Sequence, residues 1–172
     1  MDIFLDTETT GSRRQDAVIE IGAVTGRGRV LIDTLVSPLA PVTRGARRVH
    51  GITEEELRDA PAFPAVADRL KALLAEADAI WAFSATYDRR MLLQTAVLAD
   101  CFQIHQQLRR RTWRDLQPKA TSFLGDKEQV SLTNAAERLD VLTPEEGHHH
   151  RALYDARLAR RIWTSVCSPT SS

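Results

Sequence analysis

Three apolar runs of strand length fill the first 37 residues, and helical and strand-like segments alternate after them. Residues 2–8 open with Asp2-Ile3-Phe4-Leu5-Asp6, the largely apolar pattern of a buried strand. Residues 17–26 and 30–37 are two more such runs, and Gly26-Arg27-Gly28-Arg29 between them reads as a turn, so 17–37 predicts a hairpin. Pro38 and Pro41 then mark a loop. Thr53 with Glu56 three positions on has the form of a helix start. Helices are expected over about 64–77, from Tyr87 to about Asp100, around 115–123, over 131–139 and over 150–166. Ala79-Ile80-Trp81-Ala82-Phe83 reads as a further strand, with a short one near 111–114. Strands first and alternation afterwards predict a mixed α/β layer fold.

A chain of 172 residues suits one domain with a real hydrophobic core, here residues 1–167, with Ser168-Pro169-Thr170-Ser171-Ser172 as a disordered C-terminal tail. Apolar content of 43% and charged content of 27% are those of an ordinary globular protein. A net charge of zero does not exclude nucleic-acid binding, because the placement of charge decides that. Cys101 and Cys167 are too few for a disulfide framework and read as free thiols in a reducing compartment. No stretch approaches the ~20 apolar residues that span a bilayer. The N-terminal run also lacks the basic region of a signal peptide. The expected location is cytoplasmic, with no membrane partner.

The chemistry begins at Asp6 and Glu8. Residues i and i+2 of a strand share a face, so both carboxylates can reach one hard cation, and oxygen donors select Mg²⁺ or Mn²⁺. Two solvated acids at a strand end would give the same pattern. Thr9-Thr10-Gly11 follows as a hydroxyl-rich turn, where backbone amides can approach a phosphate or a sugar hydroxyl. Asp88 lies near the start of a predicted helix, either as a metal ligand or as an acid favoured by the helix dipole. Phe83 and Tyr87 flank it, with core packing as their ordinary role. Asp155 lies in the last helix between Ala152 and Ala156, small neighbours that would let the helix approach the sheet closely. His150 stands at the start of that helix, where a side chain titrating near neutrality can take a proton from water. His148-His149-His150 also fits a solvated polar loop. Arginines cluster at 44, 47 and 48, at 89 and 90, and at 109–111 and 114, either to guide a phosphate backbone or as solvated faces.

Taken in order, these segments resemble the DEDDh 3′→5′ exonucleases, the DnaQ-like group of the RNase H-like superfamily, which includes polymerase III proofreading subunits, RNase T and oligoribonuclease. Phe4-Leu5-Asp6-Thr7-Glu8-Thr9-Thr10-Gly11, Ala82-Phe83-Ser84-Ala85-Thr86-Tyr87-Asp88 and His150-Arg151-Ala152-Leu153-Tyr154-Asp155-Ala156 carry the resemblance. Ile19-Glu20-Ile21-Gly22-Ala23, His50-Gly51-Ile52-Thr53 and Asp59-Ala60-Pro61-Ala62-Phe63 support it, and it extends from residue 2 to about 163. It implies an RNase H-like fold with a mixed five-stranded central sheet flanked by helices. It implies two Mg²⁺ or Mn²⁺ ions held by Asp6, Glu8, Asp88 and Asp155, with His150 as general base by the family's His-x₄-Asp spacing. Thr7, Thr9, Thr10 and Gly11 would contact the terminal nucleotide. The chain departs from many relatives in two places. Phe83-Ser84 stands where they carry His-Asn, and Ser12 stands where they carry an apolar wedge. Phe83 could then stack on substrate or pack, and the wedge could come from Ile52 beside His50.

The expected activity is metal-dependent 3′→5′ hydrolysis of single-stranded nucleic acid, DNA favoured, to nucleoside 5′-monophosphates. An exoribonuclease like RNase T or oligoribonuclease, a catalytically silent nucleic-acid-binding module and a polymerase-associated proofreader are the alternatives. Single-stranded DNA or RNA 3′ ends are the expected partners. The sequence determines neither a homodimer nor a polymerase association.

Overall fold

In the computed structural model, which describes residues 1–143 and 150–167, the three early runs are strands β1 (Asp2–Thr9), β2 (Val18–Thr25) and β3 (Val30–Leu35). The positions 144–149, including His148 and His149, and the tail expected at 168–172 lie outside the described residues. β2 and β3 form the expected antiparallel hairpin, and β1 runs antiparallel to β2. Gly28 turns the hairpin with a φ of +86°, a conformation that costs a residue with a Cβ, while its N–H donates to the Thr25 carbonyl at 2.8 Å.

The chain then makes α1 (Arg44–His50), α2 (Glu54–Arg58) and α3 (Phe63–Ala75), and re-enters the sheet as β4 (Ala79–Ala82). α4 (Ala85–Leu98) and α5 (Phe102–Arg110) lead to β5 (Trp113–Asp115). α6 (Gln117–Leu124), α7 (Leu132–Arg138) and α8 (Ala152–Cys167) complete the fold. β4 is parallel to β1 and β5 parallel to β4, connections that need the helical crossovers seen here. The sheet order is β3-β2-β1-β4-β5, the mixed five-stranded sheet of an RNase H-like fold, with β1 at its centre.

Alternation along β1 divides the core. Ile3 and Leu5 meet Phe63, Leu70, Met91, Leu92, Ile104 and Leu108 from α3, α4 and α5 on one face. Phe4 meets Trp81, Ala120, Ala135, Leu158 and Ile162 on the other. There Trp163 packs edge-on against Phe4, ring centroids 5.5 Å apart. Each fully buried Leu, Ile or Phe contributes about 1.5–3 kcal/mol, so both layers are held firmly.

Two helices occupy segments where the sequence pattern predicts none. α1 has one buried side chain, His50, and forms because Thr43 caps its start through the Ala46 N–H and Gly51, at φ +70°, closes its end. α5 buries Ile104 and Leu108 alone, one helical turn apart, amid glutamines and arginines. α4 begins at Ala85, ahead of the expected Tyr87, so Asp88 lies within its first turn. Among the described residues no helix is long and apolar enough to cross a membrane. Cys101 and Cys167 are free and half-buried.

Candidate active site

Beyond Leu5 the alternation of β1 continues into polar residues. Asp6 and Glu8 fall on the side of Phe4, facing α8, and Thr7 falls on the side of Leu5, facing α4. α8 brings Asp155 to the acid pair from its first turn. One carboxylate oxygen from each of Asp6, Glu8 and Asp155 lies within 4.8 Å of the others. Gly22 of β2 makes this approach feasible: a Cβ there would stand 2.2 Å from the Leu153 nitrogen and 2.3 Å from the Ala152 carbonyl carbon. Ala152 and Ala156, both fully buried, keep the helix side equally thin.

Asp88 reaches the same region from the opposite layer. It is 3% exposed, and its Oδ1 accepts a 2.8 Å hydrogen bond from the Thr7 hydroxyl. The Thr7 hydroxyl therefore orients an acid, a duty its place in the sequence did not announce.

The electrostatics are those of like charges crowded together. Burial, and then the charges of Asp88, Asp155 and Glu8, push Asp6 well above the ordinary carboxylate range. Burial followed by Asp155, Glu20 and Asp88 pushes Glu8 up to about 9. Burial lifts Asp88 to about 7 against the opposing hydrogen bonds from Thr7. Such a cluster is unfavourable unless cations or protons neutralise it, and its donors are all carboxylate oxygens, the set that suits Mg²⁺ or Mn²⁺ rather than zinc. The residues present thus fit a divalent metal centre.

His150 is half exposed, with Nδ1 3.9 Å from Asp155 Oδ2. Its φ of +64° is left-handed, an uncommon state for a residue with a Cβ.

Thr7, Glu8, Thr9, Gly11, Ser12, Val49, His50 and Tyr87 border a cleft of about 420 Å³ beside the acids. The Thr9 and Tyr87 hydroxyls share a 2.9 Å hydrogen bond at its floor. His50 accepts the Ile52 N–H at Nδ1, 2.9 Å away, and burial lowers its pKa, so it is neutral with its proton on Nε2. Gly11 lies where a Cβ would meet the Asp16 carboxylate at 2.5 Å, so the loop can present only backbone at this point.

Three further residues expected at the substrate belong to the framework. Thr10 is fully buried, and its Oγ1 accepts the Ala17 N–H at 3.0 Å, fastening the loop to β2. Ile52 is 1% exposed and packs with Ile19 and Leu57, so it is no wedge. Phe83 is 6% exposed within the α8-side core, so it packs rather than stacks. Val49, 53% exposed at the rim of the cleft, is the apolar side chain that the sequence reading missed. The one signal for it is a lone valine beside His50 in a helix with no apolar stripe. Among the arginines, Arg90 lies over the Tyr87 ring at 5.2 Å and donates to the Ser12 carbonyl, which ties α4 to the loop after β1.

The model of a family described as "Exonuclease" matches residues 3–162. An uncharacterized exonuclease, CP81, of Escherichia phage 186 is 30% identical over 168 residues, covering 93% of this chain and 84% of the phage protein. A PolC-type DNA polymerase III of Thermotoga maritima is 32% identical over 168 residues, covering 94% of this chain but 11% of the polymerase. The solved structure of exonuclease X in complex with 5′-overhanging duplex DNA superimposes with a TM-score of 0.68 at 25% identity, covering 98% of this chain and 95% of that one.

Proposed function

Because the chain belongs to the exonuclease family, in the DEDDh group of the RNase H-like superfamily, it is a nuclease, and we propose that it removes nucleoside 5′-monophosphates from the 3′ end of single-stranded nucleic acid, DNA in preference to RNA. The observation that carries this reading is the meeting of Asp6, Glu8 and Asp155 within 4.8 Å at the edge of a cleft. Likeness to an exonuclease bound to DNA supports the choice of polymer.

In this reading Asp6, Glu8, Asp88 and Asp155 hold two Mg²⁺ or Mn²⁺ ions, which supply activation of a water and charge stabilisation of the departing 3′ oxygen. Asp6 and Glu8 bind from the sheet, Asp155 from α8, and Asp88 from α4 in the orientation that Thr7 gives it. His150 turns Nδ1 toward Asp155, which leaves Nε2 to take the proton of the attacking water. The cleft receives the terminal nucleotide, with Val49 against its base and the backbone at Gly11 against its polar edges.

The test is a 5′-labelled DNA strand and its RNA counterpart, each incubated with Mg²⁺, with Mn²⁺ and with chelator. We expect a ladder that shortens from the 3′ end, absent with chelator and in Asp6→Ala, and faster on DNA. Failure to shorten either polymer in either metal sinks the reading, and faster trimming of RNA replaces DNA with RNA as the substrate.

A further inference from the structure

Glu20 on β2 stands opposite Glu8 in the antiparallel register and is 3% exposed, yet its carboxylate turns to the start of α8. Oε1 accepts from Arg151 Nε at 2.9 Å and from Arg151 Nη2 at 2.7 Å. Oε2 accepts the backbone N–H of Ala152 at 2.9 Å. Arg151 Nη1 also lies 3.4 Å from Glu56 Oε1, and Glu56 is itself fixed by the capping box with Thr53. Two elements therefore grip one guanidinium. A buried carboxylate beside the acid cluster is tolerable only with such a partner.

Arg151 also joins the two groups the chemistry needs. Its carbonyl accepts the Asp155 N–H at 3.0 Å, and its own peptide follows His150. The left-handed conformation of His150 costs on the order of 1–3 kcal/mol and persists only where the surroundings determine it. We propose that Glu20 and Arg151 are positioning residues, a latch whose Arg151 half holds His150 beside Asp155 and whose Ala152 half fixes the first turn of α8. The two halves are separable, because Oε1 serves one and Oε2 the other. This inference rests on the proposed role of His150 in the hydrolysis.

The experiment is steady-state kinetics on single-stranded DNA, with Mn²⁺ affinity and thermal melting, for Arg151→Met, Arg151→Lys, His150→Ala and the double variant Arg151→Met/His150→Ala. A misplacement of about an ångström at a reacting group costs up to roughly 100-fold, so Arg151→Met should lower kcat by about 10- to 100-fold. KM and Mn²⁺ affinity should stay near those of the parent protein, since the Ala152 bond still holds Asp155. Arg151→Lys should recover part of the rate. In the His150→Ala background, Arg151→Met should cost nothing more, the non-additivity of residues that act as a unit. An equal loss in both backgrounds, or a full rate in Arg151→Met alone, overturns the latch. An undiminished rate in His150→Ala overturns the general-base role itself, whatever Arg151→Met does. Should Arg151→Met melt below the assay temperature, Glu20→Gln replaces it, keeping an acceptor for the Ala152 N–H, and its outcomes count the same way.

Discussion

Phe83 and Val49 exchange the roles their neighbourhoods in the sequence suggest. Phe83 adjoins the second acidic motif but packs in the core, whereas Val49 sits on a polar helix but borders the cleft. Phe83→Ala should therefore cost about 3 kcal/mol or more of stability and leave KM for DNA unchanged. Val49→Ala should leave the melting temperature unchanged and raise KM roughly fivefold, about 1 kcal/mol of lost apolar contact. Urea titration and steady-state kinetics on the pair decide it, and a KM effect confined to Phe83→Ala would restore its expected role in stacking. The meeting of Asp6 with Glu8 was legible because the two-residue period of a strand is a local rule. The duty of Thr7 was not, because its partner Asp88 comes from another layer, which no spacing along the chain encodes.

At the scale of elements, the contact of β2 with α8 sets the site. A Cβ on Gly22 would meet α8 backbone at 2.2–2.4 Å, and backbone cannot swing aside as a side-chain tip can. Gly22→Ala should destabilise the protein by about 3 kcal/mol and weaken Mn²⁺ binding by displacing Asp155. An alanine variant with parental stability in denaturant titration would show that the helix has room to retreat. The strands and the larger helices were legible from apolar periodicity, and the small residues of α8 correctly announced a close approach. The glycine that receives them was not singled out, since a glycine inside a strand carries no direction. α1 and α5 escaped because helices with one or two buried side chains leave almost no periodic trace.

Across the whole molecule, the acid cluster couples stability to pH and to cations. Glu8 and Asp88, with values of about 9 and about 7, bind protons more tightly folded than unfolded, as does Asp6. Their stabilisation is complete below the ordinary carboxylate range and is lost as pH rises through the folded values. Without metal, the melting temperature should fall from pH 7 to pH 9, and Mg²⁺ or Mn²⁺ should raise it most at the upper end. A flat melting profile in chelator across that interval would refute the coupling. The α/β layer fold was legible as a class from the order of strands and helices and the mixed five-stranded sheet from the family resemblance, but the position of β1 at its centre rests on pairings between distant segments. That centrality has a biosynthetic side. β1 supplies two of the clustered acids, and the third arrives only with α8, which follows every other element. A polypeptide interrupted anywhere before His150 lacks that residue and Asp155 together, so under the proposed mechanism an unfinished chain carries only part of the catalytic set.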